Sequence, residues 1–131
     1  MSIKTFYQGL ANLEVAGVKK RLPVPPVSLS SADLPAQWVQ FPQAEAGALT
    51  FQQGMAWPLL RAELVIAILP VGRERAEVPY AKVLDFMEAL SEALQGADVC
   101  RGSVFYTMYQ DIITVAGNDY WAVIAEVEGR G

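Results

Sequence analysis

The sequence predicts an α+β fold, in which two α-helices pack on an antiparallel or mixed β-sheet. The first observation is the order of patterns, because a helical stripe is followed by strand-like segments, a second helical stripe and further strand-like segments. The second is composition, since 53% of the residues are hydrophobic and 18% are charged, which is too apolar for a disordered chain. The third is length, because 131 residues bury one core, so we expect a single domain over residues 1–131.

Two segments have the apolar spacing of helices. In the first, predicted over residues 2–16, apolar side chains recur three and four positions apart, and Gly17 can end the helix. The second helix is predicted over residues 80–95, with Pro79 in its first turn and Gly96 after its last. The residues predicted to form its buried stripe are Tyr80, Val83, Leu84, Met87, Leu90 and Leu94.

The other predicted elements are extended. The segments AQWVQF and LLRAELVIAILP precede the second helix, and SVFYTMY, DIITVAG and DYWAVIAEVEG follow it as three predicted strands. The prolines of VKKRLPVPPVSL forbid a helix or a central strand, so we expect an extended segment at an edge of the sheet. Residues 42–57 have no clean period and contain two glycines, which predicts a long loop or a loose hairpin arm.

The predicted strand LLRAELVIAILP, residues 59–70, changes character along its length. Its even positions are apolar throughout, whereas its odd positions begin with Arg61 and Glu63 and become apolar from Val65 onwards. A strand that is covered on both faces loses the alternation of apolar and polar residues. We therefore expect the second helix to bury the far half, and Arg61 and Glu63 to face water, a channel or a neighbouring subunit.

Composition argues against several classes of function. The chain has no histidine and a single cysteine, Cys100, so it offers no His-based nucleophile system, no ordinary zinc ligand set and no internal disulfide. It also lacks a glycine-rich phosphate loop, and its net charge of −4 argues against a dedicated nucleic-acid binder. We expect no catalytic residue, no metal, no cofactor and no membrane span. Glu126 and Glu128 are interpreted as solvated charges, and the basic run 19–21 as a solvated edge or a contact with phosphate or an acidic partner.

A longer pattern begins at residue 32. It comprises the turn and strand ADLPAQWVQF, the strand AWPLLRAELVIAILP, the loop VGRERAEVP, the amphipathic helix YAKVLDFMEAL and a final hairpin that ends in YWAVIAEVEG. This order of segments resembles the tail terminator (tail-completion) proteins of long-tailed, non-contractile phages such as the lambda-like phages. The similarity is one of pattern and covers about three quarters of the chain.

The resemblance implies a virion protein that forms a homo-hexameric ring on the tail tube, stops tube polymerisation and joins the tube to head-completion proteins. It also implies synthesis in the host cytoplasm, a final location at the head–tail junction, and a channel through which DNA passes without specific binding. We expect apolar interface contacts from Leu49, Phe51, Met55 and Trp57. The carboxylates expected to face the channel are those of Asp33, Glu63, Glu74 and Glu77.

Other interpretations stay open from the sequence. One keeps the virion but assigns the chain as another head–tail connector or as a tail-tube subunit, which must stack and grow where a terminator forms one ring. A second is a small cytoplasmic α+β dimer that holds a ligand between the sheet and a helix. An enzyme is a third and weaker interpretation.

Overall fold

The computed structural model describes residues 3–40, 43–45, 59–72, 77–96 and 101–130, and within these ranges the chain has an α+β fold. The elements, in chain order, are α1 (Ile3–Ala11), β1 (Lys20–Arg21), β2 (Ala36–Val39), β3 (Gln43–Glu45), β4 (Leu59–Pro70), α2 (Glu77–Gln95), β5 (Arg101–Val115) and β6 (Asn118–Arg130).

The strands form one mixed sheet with the order β1-β2-β4-β6-β5. β1 is parallel to β2, and every other pair in the sheet is antiparallel. β3 also pairs with β4, and it must use the same edge as β2 because β6 occupies the opposite edge along the whole of β4. In the described part of the chain, β1 and β3 therefore form one border of the sheet and β5 forms the other. The predicted fold class, an antiparallel or mixed sheet with two helices, is confirmed.

Both helices pack on the same face of the sheet, which we call the helix face. The even residues of β4 point into this layer, where Leu60, Leu64 and Ile66 are fully buried. Antiparallel pairing places the odd residues of β6 on the same side as the even residues of β4. Other members of this core are Phe6, Leu10, Ile68, Leu69, Val83, Phe86, Leu90, Leu94, Val123 and Val127.

Helix α2 begins three residues earlier than the sequence predicts, and its buried stripe differs from the predicted one. The buried residues are Pro79, Val83, Phe86, Leu90 and Leu94. Two residues of the predicted stripe point outward, because Tyr80 is 66% exposed and Leu84 is 48% exposed. The prediction was wrong for these two because apolar residues flank the stripe on both sides, and only the position of the sheet decides which side is buried.

Helix α1 ends at Ala11, not at residue 16 as predicted. The buried amide of Gln37 donates hydrogen bonds to the backbone oxygens of Leu13, at 2.8 Å, and Ala11, at 3.5 Å. A continuing helix would use these same oxygens for its own bonds to residues four positions later. Gly17 follows with a φ of 89°, a left-handed conformation that glycine adopts without steric cost.

The far half of β4 is covered on its second face by the proline-rich segment, not by α2. Leu22, Leu29 and Leu34 pack with Val65 and Ala67 in a core that is separate from the helix layer. The expectation that α2 covers the second face of this half was wrong, because Val65 and Ala67 point away from the helices, which pack on the even residues. The helices instead cover the even residues from Leu60 to Ile68, and Leu69 joins the same layer after the register shift between Ala67 and Leu69.

β5 and β6 form one long hairpin. Residues 101–115 are a single strand, where the sequence predicts two, and Gln110 and Asp111 remain paired with β6. The turn consists of Ala116 and Gly117, with φ values of 52° and 82°. Positive φ at both central residues is typical of a two-residue hairpin turn, because the twist of such a turn matches the twist of the two strands that it joins.

Candidate functional site

Half of the second sheet face is left exposed by the described residues. Cross-strand pairing aligns residues of β4, β6 and β5 in two adjacent rows on this face. We call this region the acidic half-face, and its residues are Glu63, Glu126 and Thr107 in one row and Arg61, Glu128 and Phe105 in the next. Gln40 borders it, and its backbone N–H donates to the backbone carbonyl oxygen of Glu63 at 2.9 Å.

The acidic half-face has an excess of negative charge. Three carboxylates and one guanidinium give it a formal charge of −2. Arg61 Nε donates to Glu128 Oε1 at 2.9 Å, an exposed ion pair of small energetic value. Glu63 and Glu126 lie directly opposite each other, and no described cation forms a salt bridge with either. Because like charges directly opposite each other destabilise a sheet, this pair does not contribute to the stability of the fold.

The negative charge of the acidic half-face affects the pKa of Tyr109, which lies at its border. Its hydroxyl donates to Glu126 Oε1 at 3.5 Å. Burial, and then the negative charges of Glu126, Glu63 and Asp111, raise the pKa of this hydroxyl above its ordinary value. The charges act because a phenolate would be repelled by the neighbouring carboxylates.

The acidic half-face is concave. It forms a groove with a cavity volume of about 750 Å³, which also contains the exposed ring of Phe105. The space between the sheet and the helices is instead filled by the packed core. In the described ranges, no group of three or more carboxylate or cysteine side chains has the geometry to hold a metal ion. The negative charge of the groove can repel a polyanion or attract cationic groups.

The structure separates the four acidic residues that the sequence assigns to a channel. Glu63 lies on the acidic half-face, whereas Asp33 lies in a short 3-10 turn and pairs with Lys20 at 3.3 Å. Glu77 begins α2, on the other side of the sheet from Glu63. Glu74 lies outside the described residues, as do the predicted interface residues Leu49, Phe51, Met55 and Trp57 and the lone Cys100.

The sequence interpretation missed Glu126 and Glu128, which it assigned to solvated charge at a strand end. The spacing of two residues predicts that both side chains lie on the same face of a strand. The sequence does not give the register of β6 on β4, and this register sets Glu126 against Glu63 and Glu128 against Arg61.

The basic run lies at the border of the sheet formed by β1. Lys20 is held by Asp33, and Arg21 donates to the backbone oxygen of Asn12 at 2.9 Å. Lys19 is exposed, and no described carboxylate forms a salt bridge with it. The run is thus anchored at two of its three residues and remains accessible at the edge.

Comparison with protein-family models and with curated protein sequences finds no match to this chain. Neither α1 nor α2, the two α-helices within the described ranges, has both the length and the apolar composition needed to cross a bilayer.

Proposed function

We propose that the protein is a phage tail terminator. It forms a homo-hexameric ring that caps the tail tube, stops polymerisation of the tube and joins it to the head-completion proteins at the head–tail junction. The observation that carries this proposal is the asymmetry of the sheet in the described part of the chain, because the helices cover one face and the acidic half-face is exposed on the other. A ring with its helices outward turns the acidic half-face towards the central channel.

The charge of the acidic half-face suits a channel for DNA. Six copies bring a formal charge of about −12 to the channel wall from these residues alone. Basic groups at the wall would bind phosphates and release counterions, which slows DNA that has to move. Carboxylates repel DNA from the wall, and the opposed pair of Glu63 and Glu126 has a function there that it lacks in folding.

The order of elements supports the same proposal. From the turn at residues 31–33, the chain runs through β2, β3, β4, α2 and the β5–β6 hairpin, which keeps the order of segments on which the resemblance to tail terminators rests. The described residues suggest no catalytic or metal site, and a structural role needs none. In this proposal the chain is not an enzyme, has no cofactor and lets DNA pass without specific recognition.

Electron microscopy of the purified protein, alone and added to tail tubes, tests the proposal. We expect single rings with six-fold symmetry that cap tubes and prevent their further growth. Long tubes built from this chain alone would instead identify a tail-tube subunit. A stable dimer that leaves tube ends uncapped and gains thermal stability with a metabolite would identify the ligand-binding protein.

A further inference from the structure

The two borders of the sheet differ in their protection against pairing with another strand. Proteins shield exposed strand edges with lysine, proline or bulges. The β1 border contains Lys20 and is followed by prolines, which limits strand pairing at this border to Lys20–Arg21. Residues 105–115 of β5 contain no lysine and no proline, and they pair with β6 without a register shift. Phe105, 71% exposed, and Ile112, 44% exposed, add apolar surface to the same strand. Within the described chain β5 is therefore an edge that can accept a partner strand.

The opposite border runs in the orientation needed to pair with β5. β1 is parallel to β2, and three antiparallel steps lead from β2 through β4 and β6 to β5. β1 and β5 consequently run in opposite directions. If copies are placed side by side with their sheets continuous, β5 of one copy meets β1 of the next as an antiparallel pair.

Opposite charges occupy the two ends of one row across the sheet. The pairing register aligns five residues from border to border: Lys20, Ala36, Ala67, Ala122 and Asp111. Because paired residues project from the same face, the ammonium and the carboxylate project from the same face at opposite borders. The three residues between them are alanines.

Both end groups are accessible. The side chain of Lys20 is 53% exposed although it contacts Asp33. Asp111 accepts the backbone N–H of Ile112 at 2.8 Å, and no described cation forms a salt bridge with it. Lys19 adds a second exposed positive charge beside Lys20.

We infer that β5 of one copy pairs with the β1 border of a second copy, with Asp111 of the first facing Lys20 of the second. This contact joins two different patches, so each copy keeps a free border of each kind and the chain of contacts can close into a ring. The inference deepens the proposed function, on which it rests for the closure at six copies. Residues 105–115 of β5 contain no lysine or arginine, so β5–β5 pairing within this stretch would leave both Asp111 carboxylates without a cation, and the charges favour β1.

Charge reversal tests the contact. Asp111→Lys sets lysine against lysine at every contact, and Lys20→Glu sets glutamate against aspartate. We expect either change to weaken self-association by about tenfold or more, as for other close charge pairs between subunits. A chain with both changes, or an equimolar mixture of the two single variants, restores opposite charges at every contact and should associate as the unchanged protein does. Sedimentation equilibrium up to millimolar protein measures this.

The matched control applies the same charge changes to the exposed side of α2. Glu88→Lys and Lys82→Glu alter exposed residues of α2 and should leave self-association unchanged. Circular dichroism verifies that all variants are folded. If the Asp111 and Lys20 variants associate like the controls, or if the doubly reversed chain stays as weak as the single ones, the inference is overturned.

Disulfide formation provides a geometric test in a Cys100→Ser background. A chain with Asp111→Cys and Lys20→Cys should give a ladder of oxidised products, whereas Asp111→Cys alone should stay monomeric on a non-reducing gel. A dimer from Asp111→Cys alone would show β5 against β5 and overturn the inference. If the ladder forms but the rings neither have six copies nor cap tubes, the edge contact stands and the proposed function fails.

Discussion

Reversing the charge of the acidic half-face should hinder DNA on its way through the ring. Glu63→Lys together with Glu126→Lys changes the formal charge of this surface from −2 to +2 and the net charge of the chain from −4 to 0. The two side chains remain a like-charged pair, so the change introduces no additional pair of repelling charges into the folded state. The variant should therefore fold, assemble and cap tubes.

The expected size of the effect follows from counterion release. If each of the two lysines of one subunit neutralises one phosphate, the logarithm of DNA affinity falls against the logarithm of salt concentration with a slope of about −1.8. Between roughly 50 and 200 mM salt, affinity then changes about twelvefold for each subunit that engages DNA. Ejection should be slow at low salt and recover steeply as salt is added.

The assay is the rate of DNA ejection from virions that contain the variant, measured over this salt range. Glu88→Lys with Glu92→Lys is the matched control, because it makes the same change in net charge on the exposed side of α2. We expect normal ejection from the control at every salt concentration. Equal rates for both variants would show that the acidic half-face does not line the channel.

Three further predictions concern stability and electrostatics. Ala116→Gly should raise the free energy of unfolding by about 0.5–1 kcal/mol in urea denaturation, since it removes an alanine from positive φ, and an unchanged midpoint would contradict the turn geometry. Leu90→Ala should cost about 2–5 kcal/mol because the side chain is fully buried, whereas Leu84→Ala, on the exposed side of α2, should change stability by less than about 0.5 kcal/mol; equal losses would contradict the observed orientation of the helix. Glu126→Gln should lower the pKa of Tyr109 towards its ordinary value, because one of the charges that repel the phenolate is removed, and an unchanged tyrosine titration followed by carbon NMR would exclude this cause.

Local patterns predicted those features of the fold that depend on neighbours in sequence. The apolar spacing in residues 80–95 gave α2 within three residues of its start, because a stripe at helical period must face a core. The predicted border segment is present only as Lys20–Arg21, because the residues from Leu22 onwards leave the border and cover the second face of the sheet. The break in the alternation along β4 correctly indicated a strand covered on both faces in its far half only.

Features that depend on contacts distant in sequence were not predictable in the same way. Gln37 ends α1 through bonds to backbone oxygens 24 and 26 positions earlier, and nothing near Ala11 signals this. The segment that covers the far half of β4 contains Leu22, Leu29 and Leu34 and precedes that strand by about thirty residues. Its position on β4 therefore depends on contacts between residues that are distant in sequence.

The candidate site also has some features that the sequence determined and others that depend on contacts distant in sequence. The sequence by itself determined that the protein is acidic, lacks a nucleophile system based on histidine and places Glu63 on a strand face that turns from polar to apolar. Only the tertiary structure decided that Glu126 stands opposite Glu63, and that Lys20 and Asp111 occupy the two ends of one row. The physical reason is that side-chain period reports which face a residue occupies, whereas the register between strands is set by the packing of the whole sheet against its helices and its covering segment.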